Sequence, residues 1–300
     1  MPRRAKLVIA LAIAAVAWML LAPLSESADD ELSDVCRDPQ GAGQNRAPAT
    51  ASWATDPSGF IAHGSGGIDG TTNADSVESL SMSISRGYRM IELDIQVSSD
   101  GYLVAAHDWT SFRQRTGSAP ATATEQAMTL AEFQSKKIDG KYTPLDENGI
   151  RSIFLEHPDL ILVTDKIRDF PRLVKAFPFQ ERVIVEVFSP QEFISAKTSG
   201  VVNPMLSIGN LEASLGLILN HPARHVALSI EELTRCPGAA RKIIASGRRV
   251  FAFTTNDEDF MARYAGTHVS AFYTDFWHIG MGRCEGSACP DRNRRPDNGR

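Results

Sequence analysis

The sequence has no excess of basic residues: 31 Lys and Arg stand against 36 Asp and Glu, and the formal net charge is −5. Nucleic-acid-binding domains normally carry a basic surface patch. The composition therefore gives no support for a nucleic-acid partner. No internal repeat stands out either, and 300 residues with 43% hydrophobic content are enough for one large core.

Long hydrophobic runs are absent except at the N-terminus. Basic residues at 2–6 precede a nearly continuous apolar run at 7–24 and small residues at 25–28. This order is typical of a secretory signal peptide, here residues 1–27. An uncleaved membrane anchor over 7–24 is the alternative, because roughly 18 apolar residues can cross a bilayer. Both interpretations predict export to the periplasm, the cell surface or the medium, behind a loosely ordered lead-in at 28–58.

Cysteine is scarce, with only Cys36, Cys236, Cys284 and Cys289. No histidine lies at ligand spacing beside them, which argues against a zinc site. In an exported protein these residues are expected to form disulfides. The short spacing favours Cys284 with Cys289, in a Gly-, Arg- and Pro-rich tail at 280–300, and this leaves Cys36 with Cys236.

Strand and helix signals alternate between residues 59 and 279, which predicts a parallel sheet with crossover helices. Eight short apolar runs are the principal strand candidates. No second domain is indicated, and a single α/β barrel of about 250 residues is a normal size.

Asp100 and Gly101 lie between two alternating apolar runs, and such a pair is a strong hairpin signal. If they are the two central turn residues, Asp94 lies opposite His107, and Glu92 shares the same face. Two carboxylates and an imidazole would then converge. A half-buried strand with a solvated polar face is the alternative.

A second histidine, His63, ends a short apolar run and opens into a glycine-rich loop, residues 64–67. A histidine in this position is often a structural residue. The end of a strand at a loop is, however, where α/β barrels hold their chemistry.

These residues, in this order, resemble the glycerophosphodiester phosphodiesterase-like superfamily of TIM-barrel phosphodiesterases, and the resemblance covers residues 59–277. It rests on His63, Asn73, Gly87, Glu92-x-Asp94, Asp100-Gly101, His107-Asp108 and the stretches 249–256 and 271–276. It implies a single (β/α)8 TIM barrel with a β-hairpin after the second strand. It also implies that His63 and His107 are the acid–base pair.

The resemblance further implies that Glu92, Asp94 and Asp165 bind one divalent cation. All-carboxylate ligation selects a hard ion, Mg²⁺ or Ca²⁺. For Asp165, an N-cap role at the start of the next helix is the alternative. Lys166 and Glu186, which stand at the ends of neighbouring strands, are further candidate substrate-binding residues, and Glu186 is alternatively a buried partner for a base.

The chain departs from the family pattern directly after His63. Typical members have Arg and then Gly there, whereas this sequence has Gly64 and Ser65. The loop 64–67 is therefore a candidate phosphate site, because glycines allow backbone amides to approach an anion closely. A simple strand-to-helix turn is the alternative.

The predicted function is an exported, metal-dependent phosphodiesterase that hydrolyses or cyclises a glycerophosphodiester or a phospholipid headgroup. One alternative is a metal-independent phosphatidylinositol-type phospholipase C, against which the Glu92-x-Asp94 pair argues. The other is a catalytically silent barrel that serves as an envelope binding or scaffold protein. The sequence leaves the oligomeric state open.

Overall fold

The computed structural model describes residues 34–38, 52–118 and 126–290 of the chain. The predicted signal peptide or anchor, most of the lead-in and the last ten residues of the tail lie outside these ranges. Within them, no helix has both the length and the apolar character needed to cross a membrane.

Eight parallel strands close into a barrel, as predicted. In chain order the strands of the molecule are β1 Phe60–Ala62, β2 Met90–Glu92, β3 Ile95–Val97, β4 Leu103–Ala105, β5 Ile161–Thr164, β6 Val183–Val187, β7 Asn203–Ser207, β8 His225–Ser229, β9 Arg249–Phe253, β10 Ala271–Thr274, β11 Trp277–His278 and β12 Arg283–Cys284. The barrel order is β1-β10-β9-β8-β7-β6-β5-β2. β1 therefore pairs with both the second and the last barrel strand, and the seam between β1 and β10 closes the sheet.

Alternate residues of the barrel strands face two different cores, because successive side chains of a strand point to opposite faces. Met90 belongs to the cluster inside the barrel, whereas Ile91 belongs to the larger cluster between barrel and helices. The next residue, Glu92, faces inward again. The same alternation sends Ile91, Leu93 and Ile95 into the outer core.

Helices connect the barrel strands and cover them from outside. They are Val77–Ser85, Trp109–Arg115, Leu130–Gln134, Glu147–Glu156, Phe170–Ala176, Pro190–Thr198, Leu211–Asn220, Ile230–Arg235, Pro237–Ala245 and Glu258–Tyr264, with 3-10 turns at Ser52–Thr55, Pro57–Gly59, His63–Ser65, Gln180–Arg182 and Ile279–Met281. The helix after β5 is capped by Asp169, whose side chain accepts from Arg172 N. The alternative N-cap role for Asp165 is therefore wrong.

The predicted hairpin after β2 exists, but its register differs by one residue. Val97 pairs with Leu103, and Ser98 N donates to Tyr102 O at 2.8 Å, so that Ser99 to Gly101 form a three-residue turn. Gly101 has φ 87, the left-handed conformation that closes such a turn. The predicted two-residue turn is wrong, and so is the exact pairing of Asp94 with His107: Ala106 N donates to Asp94 O instead.

The segment between β4 and β5 packs a small core of its own beside the barrel mouth. Its aromatic centre is formed by Trp109, Phe112 and Phe133, and the rings of Phe112 and Phe133 stack at 4.5 Å. This small core supports the start of the helix that follows His107.

Both predicted disulfides are present, Cys36–Cys236 and Cys284–Cys289. The first fastens the described N-terminal segment to the start of the helix Pro237–Ala245. Asp38 adds polar contacts there, since it accepts from His268 Nε2 at 3.0 Å and pairs with Arg241.

Candidate active site

Polar side chains collect at the carboxyl ends of the barrel strands, which is where TIM-barrel enzymes place their active sites. His63 follows β1, Glu92 ends β2, Asp165 follows β5 and Asp275 follows β10. Because these strands are neighbours around the closed sheet, residues far apart in sequence meet at one end of it.

Glu92, Asp94 and Asp165 converge as the sequence predicts. One carboxylate oxygen from each lies within 4.8 Å of the other two. Glu92 and Asp94 are only 4% and 3% exposed. Glu92 is held by Gly64 N, which donates to its Oε2 at 2.6 Å.

Burial and mutual repulsion raise the pKa values of the buried carboxyl groups in this cluster. Burial raises the pKa of Asp94 to about 6, and the charge of Asp165 adds to this effect. Burial, and after it the charge of Asp94, raises the pKa of Glu92 well above its usual range. A positive charge at the centre of the cluster would reverse these shifts.

Lys166 supplies part of that charge. Its Nζ lies 2.7 Å from Asp165 Oδ2 and 3.4 Å from Asp94 Oδ1. Burial acts against its protonation, but the hydrogen bond and the charge of Asp165 raise its pKa above the usual range. The predicted substrate-binding lysine is therefore committed to the two carboxylates.

A fourth carboxylate, Asp75, lies beside Asp94 and was missed by sequence reasoning. It is 2% exposed, and its Oδ1 accepts from Asp94 N at 3.3 Å. Burial, and then the charge of Asp94, raises its pKa well above the usual range. In the sequence it precedes Ser76, the N-cap of a helix, so no local signal separates it from an ordinary turn residue.

The site fits a divalent cation by its donors and by its unused oxygens. Asp165 Oδ1 and Asp75 Oδ2 are buried and make no hydrogen bond within the described residues. All the candidate ligand atoms are carboxylate oxygens, which Mg²⁺ and Ca²⁺ prefer. Glu92, Asp94 and Asp165 are accordingly the residues that would hold such an ion.

His63 is oriented by a partner from the other side of the barrel seam. Its Nδ1 lies 3.0 Å from Asp275 Oδ1. Asn256 Nδ2 donates to Asp275 Oδ2 at 2.8 Å, while Asn256 Oδ1 accepts from the backbone amides of Asp275 and Phe276. Asp275 and Asn256 carry no recognisable motif, and their position after β10 and β9 is the only signal by which the sequence could have pointed to them.

His107 is oriented by its neighbour in sequence. Its Nδ1 lies 2.8 Å from Asp108 Oδ2, and Asp108 also caps the helix Trp109–Arg115 through Ser111 N. Despite the shifted register, His107 is near enough to Asp94 for its positive charge to lower the pKa of that carboxyl.

Three backbone amides of the loop 64–67 donate hydrogen bonds to other parts of the protein. Gly64 N donates to Glu92, Gly66 N to His63 O and Gly67 N to Asp275 O. The Ser65 hydroxyl is fully buried and bonds to Gly64 O and Ser79 Oγ. These contacts favour the alternative of a structural turn, so Gly64 and Ser65 are not presented to a phosphate.

Glu186 projects from β6 at the barrel mouth, outside the cluster of three carboxylates. It is 6% exposed, and burial, with the charge of Asp165, raises its pKa to about 7. Tyr273 is buried close by, and its hydroxyl makes no hydrogen bond within the described part of the chain. Glu186 is thus close enough to Asp165 for the two carboxyl groups to interact electrostatically.

A cavity of about 250 Å³ opens beside His107. Asp75, Phe112, Arg115 and Ile138 contribute to its walls. The Arg115 guanidinium is already paired with Asp139 at 2.6 Å and donates to the carbonyl of Asn73. The cavity therefore combines one acidic side chain, Asp75, with apolar walls from Phe112 and Ile138.

Comparison with known proteins agrees with this arrangement. The model of the glycerophosphoryl diester phosphodiesterase family matches residues 67–208, which include Glu92, Asp94, His107 and Asp165. No curated protein sequence matches the chain.

Solved structures share the fold at low identity. A glycerophosphodiester phosphodiesterase from Agrobacterium tumefaciens is 15% identical with a TM-score of 0.59, over 74% of this chain and 98% of its own. One from Thermotoga maritima is 19% identical with a TM-score of 0.57, over 74% and 96%. An Oleispira antarctica phosphodiesterase in complex with the product sn-glycerol-3-phosphate is 17% identical with a TM-score of 0.57, over 75% and 96%. Residues 67–208 are therefore similar to the glycerophosphoryl diester phosphodiesterase family, and the chain shares the TIM-barrel fold of solved glycerophosphodiester phosphodiesterases.

Proposed function

We propose that the protein is a metal-dependent phosphodiesterase that cleaves a glycerophosphodiester or a phospholipid headgroup, with His63 and His107 as its acid–base pair. The observation that carries this proposal is the cluster of Glu92, Asp94 and Asp165 within 4.8 Å, flanked by both histidines. A divalent cation held there would neutralise the charge of the phosphate oxygens.

The two histidines supply proton transfer on opposite sides of the phosphorus. One Nε2 accepts the proton of the attacking hydroxyl, and the other gives a proton to the departing alkoxide oxygen. An attacking hydroxyl within the substrate gives a cyclic phosphate, whereas attack by water gives hydrolysis directly. In either reaction one ring gains a proton and the other loses one. The pair as a whole therefore holds the same number of protons before and after the reaction.

Asp275 and Asp108 orient the imidazole rings of His63 and His107 for proton transfer. Each carboxylate faces Nδ1 of its histidine, at 3.0 Å for His63 and 2.8 Å for His107. A carboxylate accepts the Nδ1 proton, which selects the tautomer with an unprotonated Nε2 and stabilises the imidazolium once Nε2 gains a proton. Both rings therefore present Nε2 to the substrate.

Lys166 favours a second candidate, a metal-independent phospholipase in which a basic side chain replaces the cation. Its ammonium already contacts Asp94 and Asp165. It is, however, one positive charge beside four carboxylates, namely Asp75, Glu92, Asp94 and Asp165. Buried carboxylates without a partner are costly, so the charge balance supports the metal-dependent reaction.

The size of the cavity beside His107 indicates that the part of the substrate bound there is a small alcohol group. Its volume of about 250 Å³ is below the roughly 300–1,000 Å³ typical of pockets for drug-sized ligands. Glycerol or a headgroup alcohol fits such a space, and the acyl chains of a phospholipid would have to remain outside it.

Export is part of the proposal. It is supported by the two disulfides, Cys36–Cys236 and Cys284–Cys289, since such bonds persist in oxidising compartments. The apolar run at 7–24 would direct the chain there as a cleaved signal or keep it attached to the membrane.

The proposed function is tested with purified protein and bis(p-nitrophenyl) phosphate, followed by glycerophosphodiesters with different alcohols. Excess EDTA should abolish turnover, and Mg²⁺ or Ca²⁺ should restore it. Full activity after metal stripping would favour the metal-independent reaction. Absence of turnover with every diester and both ions would favour the silent barrel.

A further inference from the structure

Asp75 has one buried oxygen that the protein leaves unused. The side chain is 2% exposed, and Oδ1 accepts from Asp94 N. Oδ2 has no hydrogen-bond partner within the described residues. A buried carboxylate oxygen in this state is normally matched by a donor or a cation.

The backbone explains why the Asp75 side chain points inward. Asp75 has φ 44, and its amide donates to Gly64 O at 3.2 Å. Ser76 then caps the helix Val77–Ser85. The left-handed conformation that Asp tolerates better than most residues therefore sits between the His63 loop and a fixed helix start.

Within the described ranges, the negative charges around Asp75 are not balanced by a basic side chain that pairs with it. Its carboxyl is close enough to Asp94 and Asp165 for both to act on it electrostatically. Lys166 contacts Asp94 and Asp165, but no basic side chain of the described chain forms an ion pair with Asp75. Asp75, like Glu92, thus has no ion-pair partner among the described residues.

Resting on the proposed function, we propose that Asp75 is a fourth carboxylate of the cation site, with Oδ2 bound to the same ion as Glu92, Asp94 and Asp165. Oδ1 meanwhile fixes the backbone of Asp94. Asp75 would then both hold the ion and position one of its ligands.

The test is direct titration of metal-stripped protein with MgCl2 and with CaCl2 in a calorimeter, without substrate. Asp75→Asn retains the Oδ1 acceptor for Asp94 N and removes only the charge. We expect one ion per chain in the wild type and affinity weakened about 10- to 100-fold in Asp75→Asn. Asp94→Asn is the positive control, and Glu186→Gln is the matched control for a buried acid at the same barrel mouth.

The thermal midpoint in EDTA provides the second measurement. Removing a charge next to Asp94 should leave Asp75→Asn at least as stable as the wild type without metal, while its gain in midpoint on adding metal should be smaller. A variant that is unfolded or less stable in EDTA would show that Asp75 serves the fold, and would overturn the proposal.

Three further results would also overturn it: unchanged affinity in Asp75→Asn, an equal loss in Glu186→Gln, or two ions per chain. If Asp94→Asn loses affinity and Asp75→Asn does not, only the role of Asp75 fails. If the wild type binds neither ion, the metal-dependent function itself fails.

Discussion

The two histidine–aspartate pairs of the site look alike in chemistry and differ in how the chain builds them. His63 and Asp275 are 212 residues apart, and their side chains are 28% and 8% exposed. His107 and Asp108 are adjacent in sequence, and their side chains are 48% and 39% exposed. One pair is a product of barrel closure and the other of a local turn.

Because they are built differently, the two pairs depend on different parts of the fold for their geometry. His63 and Asp275 follow β1 and β10, which pair at the seam of the barrel, and Asn256 holds Asp275 from a third strand end. His107 follows the hairpin, and Asp108 starts the next helix. The first pair is as rigid as the barrel, whereas the second is as stable as the hairpin and the small core beside it.

The largest expected effect comes from removing either ring. His63→Ala and His107→Ala should each lower kcat about 10²- to 10⁴-fold, and the double variant should fall short of the product of the two losses. Only His63→Ala should also lower stability, by about 1–3 kcal/mol, because it leaves the buried Asp275 without one partner. Turnover and thermal melts of the three variants check this, and near-normal turnover in both single variants would contradict the assignment.

Replacing the aspartate of each pair should lower kcat by clearly different amounts. Asp275→Asn should lower kcat about 10- to 100-fold, since a buried orienting partner loses its charge. Asp108→Asn should cost no more than about 5-fold, because exposed ion pairs contribute roughly 0–1 kcal/mol. Equal losses, measured at saturating metal, would show that exposure does not govern the contribution of these partners.

A strained turn should affect one pair without the other. Gly101 has φ 87 in the hairpin and Gly247 has φ 86 before β9, and an added Cβ meets no atom within 4 Å at either position. Gly101→Ala and Gly247→Ala should therefore each destabilise the fold by about 1–2 kcal/mol. Only Gly101→Ala should raise the exchange rate of amides around His107. Equal exchange there in both variants would contradict a separate hairpin unit.

The smallest effect concerns pH. Burial would raise the pKa of Asp108, but hydrogen bonds from Ser111 and the contact with His107 lower it to about 2. Its stabilising contribution is therefore present above about pH 4 and is lost as the pH falls toward 2. Asp108→Ala should cost about 1 kcal/mol at pH 7 through the lost helix cap, and the difference from wild type should shrink between pH 4 and 2 in urea titrations.

Local patterns sufficed for much of the fold. The barrel strands are short apolar runs, and Thr129 and Glu132 form a capping box. Such patterns depend only on residues that are close together in the chain, so they can be recognised in the sequence. The hairpin register could not be obtained in this way. Asp100 and Gly101 suit a two-residue turn, and only the left-handed Gly101 together with Ser98 and Tyr102 selects the three-residue form.

The site was predictable as far as its residues lie near one another in the chain. Glu92, Asp94 and His107 come from one strand–hairpin unit, so the hairpin brings them close together even though its register differs from the predicted one. Asp275 reaches His63 only through closure of the barrel, and Asp75 depends on a left-handed backbone that its sequence does not specify.

The disulfide between Cys36 and Cys236 makes the two histidine–aspartate pairs unequal in how the chain connects their members. It closes a loop with a sequence separation of 200 that contains β1 to β8, while β9 and β10 lie outside it. A single proteolytic nick within that loop leaves both fragments joined until the bond is reduced. A nick after residue 236 and before β9 instead releases a fragment that carries Asn256 and Asp275 and that no disulfide joins to the rest. His63 and Asp275 would then lie on separate chains, whereas His107 and Asp108 would remain on the same one.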